Sequence, residues 1–326
     1  MNKLPYETIT RNVLVKKEAA TDEKYGCIPE HRSTEEIIQY GIINVNKPRG
    51  PTSHEVSAFV QRILHINKSG HSGTLDPKVT GCLPIALGRA TKIVQALLLT
   101  GKEYVTVMHL HTKVDSHAIH TACHEFVGKI RQLPPLKSSV KRVMRTREIY
   151  YIEILEIYDQ DVLFRVGCEA GTYIRKLCHD IGLKLGIGAH MAELIRTRVG
   201  PFSTDTYFSL QDITDAFYYW NTKKQDEKLR KIIQPVEHAI VHLPKIWVFD
   251  SAINSLCHGH SLAVPGISKY ESEIKKNDIV AVLSLKHELI CLGSAQMSSE
   301  EMSSPKGIAV KTDRVFMLPE TYPRLD

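Results

Sequence analysis

Residues 149–168, IYYIEILEIYDQDVLFRVGC, constrain the fold of this chain more than any other stretch. Two runs rich in Ile, Val, Tyr and Phe flank Asp159-Gln160-Asp161, the pattern of two strands joined by a tight turn. A sheet with antiparallel pairing follows. Helical patterns surround it, so the chain reads as an α/β mixture. In YGIINVNKPRGPTSHEV, Ile42 to Val45 reads as a strand running into a Pro/Gly turn, and Thr52 with Glu55 forms a T-x-x-E capping box. The helix it opens places Val56, Phe59, Val60 and Ile63 on one apolar face. RATKIVQALLL predicts a second helix, which would leave the loop at Asp76 between two helices. KEYVTVMHLH reads as a strand, EAGTYIRKLCHDIGLKLG as strand turning into helix, and 211–233 as helix. From Leu243 onward, short strands with turns at Pro265-Gly266, Asn277-Asp278 and Lys306-Gly307 predict a small all-β domain of about 80 residues. Residues 1–34 are charged and weakly patterned, an extension expected to lie against the fold.

The chain has 326 residues, room for one large core and one small. Its 43% hydrophobic and 24% charged content is that of an ordinary folded protein, and a formal charge of +6 means that any polyanion-binding surface must be local. Seven cysteines without a C-x-x-C pair argue against a disulfide framework and a zinc ribbon. With no apolar run of signal-peptide or membrane-span length, a cytoplasmic protein with reduced thiols is expected.

Glycine-rich phosphate loops are absent: neither G-x-x-x-x-G-K-[ST] nor G-x-G-x-x-G occurs, which removes the main support for nucleotide hydrolysis and dinucleotide redox chemistry. His117, His120 and His124 could share one helical face, but no second ligand cluster accompanies them and a solvated face is the expectation. The stretch 131–147, RQLPPLKSSVKRVMRTR, carries six cations and no acid, with prolines and serines that suit a loop closing on a phosphate backbone. GHSGTLDPKVTG, residues 70–81, isolates Asp76 among glycines, with His71, Ser72 and Thr74 as a polar rim. Alone it could be a turn. Tyr104 in KEYV and Arg175 in GTYIRKL are the partners a site would need: an arginine beside a carboxylate favours its ionised form, and a tyrosine can stack on a planar ring. The residues describe an enzyme with a single carboxylate acting on a stacked ring, without metal or organic cofactor.

GIINVNKPRGPTSHEV, GHSGTLDPKVTGCLPIALGRATK, KEYV and RVGCEAGTYIRKLCHDIG together resemble the motifs of the TruB and dyskerin family of RNA pseudouridine synthases. DSAINSLCHGHSLAVPGI and the ending ETYPRLD are similar to that family's PUA domain, and YGCIPEHRSTEEIIQYG is similar to its archaeal dyskerin-type branch, the catalytic subunit of H/ACA guide-RNA particles. The resemblance implies a mixed α/β fold with a central, largely antiparallel sheet flanked by helices. It also implies a catalytic domain over 35–238, a thumb loop at about 131–148, and a C-terminal PUA β-barrel over 243–322. It implies isomerisation of uridine in RNA, with Asp76 catalytic, Tyr104 stacking on the uracil and Arg175 pairing with Asp76. His71 would fill the gap left by the flipped base, and Leu194 would line the pocket. Lys47, in a Lys-Pro motif supporting the active-site fold, joins Lys137, Lys141, Arg142 and Arg145 in the set expected at the RNA. Expected partners are tRNA, through its T-loop uridine, and/or H/ACA guide RNA with rRNA, together with small particle proteins. The eukaryotic form has a longer N-terminal extension and a lysine-rich tail that this sequence lacks, so a nucleolar location is not expected. The rival readings are an RNA-binding scaffold without catalysis and a nucleoside hydrolase releasing free uracil.

Overall fold

A computed structural model describes residues 2–134 and 141–324. Its strands, in chain order, are β1 (Val13–Val15), β2 (Gly41–Lys47), β3 (Ser69–His71), β4 (Thr80–Leu87), β5 (Lys102–Leu110), β6 (Gly128–Gln132), β7 (Arg145–Tyr158), β8 (Asp161–Cys168) and β9 (Ala189–Val199). They continue with β10 (Phe202–Ser203), β11 (Gln234–Pro235), β12 (Lys245–Val248), β13 (Leu262–Ala263), β14 (Ile267–Glu271), β15 (Ile279–Leu283), β16 (Leu289–Ala295) and β17 (Ile308–Val315). The helices are α1 (Thr34–Tyr40), α2 (Ser53–Leu64), α3 (Val94–Leu98), α4 (Ser116–Glu125), α5 (Ile174–Lys184), α6 (Leu210–Lys223), α7 (Glu227–Ile232) and α8 (Asp250–Cys257).

Two sheets carry the fold. The larger has ten strands in the order β11-β2-β4-β9-β5-β8-β7-β6, with β3 on β4 and β10 on β9. Among the described residues its ladders are antiparallel except for β4 with β9. The smaller sheet runs β1-β14-β12-β15-β16-β17-β13. Helices α4 and α5 cover the β5/β8 part of the large sheet, burying Leu177, Cys178 and Ile181 with Met108, Phe164 and Val166. On the other half, Val56, Val60 and Leu64 of α2 join Ile213 of α6 over Ile43, Val45, Leu83 and Ile85. A third cluster, with Tyr40, Ile93 and Leu97 against Trp247, Leu283 and Phe316, welds the two sheets together. No helix is long and apolar enough to cross a membrane among the described residues.

Several elements follow their sequence signals. The 149–168 run is the β7–β8 hairpin, with Asp159 in the left-handed region at φ 52°. Thr52 and Glu55 make the capping box of α2. Near the start of the chain, β1 pairs with β14, Leu4 is fully buried, and the Tyr6 hydroxyl donates to the Gly200 carbonyl at 3.0 Å.

Three elements differ from expectation. Asp76 does not sit between two helices but between β3 and β4, because TGCLPIAL forms a strand buried from Gly81 onward. Pro84, opposite Asn44 of β2, is tolerated inside β4 because its backbone polar groups face the other side, where its carbonyl accepts from the Ser72 N–H at 3.0 Å and where, between the β9 pairing at Gly81 and the β3 pairing at Ile85, no ladder bond needs its missing N–H. The helix expected over RATKIVQALLL is divided between a 3-10 run, Gly88–Ile93, and a short α-helix, Val94–Leu98. There Thr91 Oγ1 donates to the Gly88 carbonyl at 3.0 Å, and β-branched Thr91, Ile93 and Val94 weaken the α-helical turn. The small domain is not all β: α8 packs Ile253 and Leu256 into its core.

Candidate active site

The loop between β3 and β4 is held from below. Lys47 Nζ, fully buried, donates to the carbonyls of Pro48, Pro77 and Val79 at 3.0, 3.2 and 2.8 Å. Ser53 Oγ, at the start of α2, accepts from the Leu75 N–H at 2.8 Å, and Val79 N–H donates to the Asp76 carbonyl at 2.9 Å. Leu75 and Val79 are buried while Asp76 between them is exposed. A rigid loop thus presents one carboxylate outward.

Arg175 meets that carboxylate from 99 residues away, its Nη2 donating to Asp76 Oδ2. It sits in the first turn of α5, where a cation opposes the helix dipole. Helix stability therefore does not explain its place; the carboxylate does.

Beside this pair, β5 and β9 build a wall. Tyr104 lies opposite Arg196 and Thr106 opposite Leu194, so all four side chains share one face. Arg196 is 1% exposed; its Nε donates to the Cys82 carbonyl at 2.8 Å and its Nη2 to the Gly73 carbonyl at 3.3 Å. Gly81, at φ +105°, lets β4 pass this strand: a Cβ there would meet the Arg196 carbonyl oxygen at 2.2 Å. Burial pushes the Tyr104 phenol up, against the pull of Arg196, so the ring is neutral at physiological pH. His71, half-buried on β3, has its pKa lowered by burial, with Arg196 and His54 adding to the effect, and its Nδ1 has no hydrogen-bond partner among the described residues. Burial also lowers the Lys47 ammonium, with Arg196 acting in the same direction and Asp76 opposing.

Comparison with known proteins gives this geometry a family. Residues 61–174 match the TruB family pseudouridylate synthase N-terminal domain and 175–241 the tRNA pseudouridylate synthase B C-terminal domain. Residues 244–316 match the PUA domain and 2–57 the DKCLD domain. A protein of Thermococcus onnurineus named probable tRNA pseudouridine synthase B is 57% identical over 320 residues, 97% of this chain and 96% of that protein. The chain belongs to the TruB family of pseudouridine synthases. A Methanopyrus kandleri relative of the same name is 53% identical over 99% of this chain and 95% of its own length. Two solved structures each cover 99% of both chains: an H/ACA RNP bound to a substrate RNA containing 2'-deoxyuridine (52% identity, TM-score 0.93) and a Cbf5-Nop10-Gar1 complex (54%, 0.95).

In this pseudouridine synthase, Arg175 meets Asp76, Tyr104 and Leu194 share one face of the β5–β9 pair with Arg196, and His71 lies on β3 close enough to Arg196 for that guanidinium to lower its pKa. Lys47 departs from the expected RNA-facing set, since its ammonium is sealed beneath the loop by three carbonyls. Lys141 and Arg142 are exposed ahead of β7, and Arg145 Nη2 donates to the Lys141 carbonyl at 3.4 Å; Lys137 lies outside the described residues. His117, His120 and His124 do share α4, but no group of three or more His, Cys, Asp or Glu among the described residues is arranged to hold a metal. Arg196 and Ser53 escaped the sequence reading. Arg196 had a signal: it stands two residues after Leu194 and so on the same strand face.

Proposed function

We propose that Asp76 is the catalytic carboxylate that isomerises a uridine within RNA. The C1'–N1 glycosidic bond breaks, the uracil turns, C5 bonds to C1' and gives up its proton, and N1 gains one. The observation that carries this reading is the Arg175 guanidinium on the Asp76 carboxylate at the rim of a wall bearing Tyr104. A carboxylate so oriented can act as nucleophile or base. The uridine leaves its stack to reach it, at a cost of a few kcal/mol. Tyr104 stacks on the extruded base, Leu194 lines its pocket, and His71 takes the vacated space. Lys141, Arg142, Arg145 and, in the thumb stretch, Lys137 contact RNA phosphates.

Two substrates fit: the T-loop uridine of tRNA, and rRNA uridines selected by an H/ACA guide RNA. The second draws on the solved relatives, whose complexes hold Nop10, Gar1 and substrate RNA, and small proteins of that kind are the partners proposed here. Residues 35–238 form the catalytic unit and 243–322 the RNA-binding unit. Seven free thiols suit a cytoplasmic location. The decisive experiment pairs RNA binding with pseudouridine mapping for Asp76→Ala. Binding persists and product vanishes on this reading; retained product refutes it, and free uracil in the wild-type reaction indicates a hydrolase. Mapping unmodified tRNA after incubation with the chain alone separates the two substrate routes.

A further inference from the structure

We propose that Gln132 is a positioning residue for Arg175, acting through the backbone of Tyr173. Gln132 is the last residue of β6 and is 2% exposed. Its Nε2 donates to the Tyr173 carbonyl at 3.2 Å and its Oε1 accepts from the Tyr173 N–H at 3.0 Å. One amide thus binds both polar groups of one residue, which fixes that residue's rotation as well as its distance. Tyr173 is the N-cap of α5, and its side chain supplies no cap to the helix. The start of the helix is therefore fixed from outside, by a side chain 41 residues upstream.

The neighbouring strand holds the same turn. Glu148 N–H donates to Glu169 Oε2 at 3.1 Å, and Glu169 N–H to the Glu148 carbonyl at 2.8 Å. The Arg147 guanidinium covers Gly171, where an added Cβ would lie 3.2 Å from Nη2. Residues 169–173 are clasped by β6 and β7, and Arg175 follows two residues later. The dipole of α5 works against a cation at that position, so a local restraint on the first turn is what keeps the guanidinium facing Asp76. A buried primary amide is costly unless both its donor and acceptor are used, and here both are used on the turn that carries Arg175.

The inference rests on the reading of Asp76 and Arg175 as the reaction centre. Its test is a cycle of Gln132→Met, Arg175→Lys and the double variant, with Gln132→Glu, which keeps the acceptor alone, as the milder substitution should the methionine variant fail to fold. Single-turnover conversion of an unmodified tRNA should fall about 10- to 100-fold in Gln132→Met, with RNA Kd within about twofold of wild type and Gln132→Glu intermediate. In the Arg175→Lys background the Gln132 substitution should cost under about threefold, because the group it aligns has been replaced. An undiminished penalty in that background overturns the proposal, as does a loss carried by Kd instead of rate. Should wild type itself make no pseudouridine, the functional reading fails, and the Arg175 side-chain NMR signal still decides: displacement by Gln132→Met supports the clasp, and an unmoved signal refutes it.

Discussion

Arg196 lies directly across the β5–β9 pair from Tyr104, fully buried, and spends its hydrogen bonds on the carbonyls of Cys82 and Gly73. It joins three parts of the site: the strand bearing Leu194, the β4 strand through Cys82, and the β3–β4 loop through Gly73. Arg196→Met removes these donors and strands two carbonyls, so unfolding free energy should fall by about 2 to 4 kcal/mol. Urea denaturation checks this. Turnover should fall further than stability explains when measured well below the melting temperature.

The Asp76–Arg175 pair is half exposed, at 54% for each side chain. Such a pair contributes under about 1 kcal/mol to stability, and Arg175 opposes the α5 dipole. Arg175→Ala should therefore leave the melting temperature within a degree or two, or raise it slightly, while removing most turnover. A large drop in melting temperature would mean that the arginine serves the fold.

Lys47 and the thumb cations separate by salt. Lys47→Met leaves three carbonyls without their donor and should destabilise the chain by about 2 to 3 kcal/mol. The slope of log RNA affinity against log salt should not change. Lys141→Ala or Arg142→Ala should do the reverse, leaving stability alone and lowering that slope by about 1. RNA affinity measured from low to moderate salt distinguishes them.

His242 gives the fold an acid limit. Tyr6 stands edge-on to its ring at 6.3 Å, Arg11 Nη1 donates to its carbonyl at 3.4 Å, and both of its ring nitrogens are buried with no hydrogen-bond partner among the described residues. Burial pulls its pKa down to about 4, from the usual 6.5. The unfolded chain therefore takes up the proton first as pH falls, and the stability held above pH ~6.5 is lost by on the order of 3 kcal/mol by pH ~4. In urea melts at several pH values, His242→Phe should flatten this dependence; an unaltered dependence would assign it to other groups.

Local signals in this chain were readable where the chemistry was local. Thr52 and Glu55 cap α2 within one turn, and Asp159-Gln160 reverses the chain between two β-branched runs. The residue types at Asp76, Tyr104 and Arg175 were legible as well, but their meeting depends on the whole sheet closing over 99 residues. Arg196 was hidden because a lone arginine in a strand ordinarily faces water. β4 was hidden because Pro84 reads as a break until the gap between β9 and β3 is known. Lys47 belongs with the loop rather than with the RNA-facing cations: its Lys-Pro motif points to support of the active-site fold, and three backbone carbonyls satisfy its ammonium there.

The β1–β14 pairing carries a consequence for biosynthesis. Asn12 N–H donates to Ser272 Oγ across 260 residues, and Val13, Leu14 and Val15 find their partners only on β14. At about 5 to 20 residues per second, a ribosome needs tens of seconds to make that partner. Through that interval β1 waits as an open, apolar edge. Pairing of β1 with β14 is therefore a late step in synthesis, and a nascent chain halted before residue 267 would leave this edge free for a chaperone or another chain.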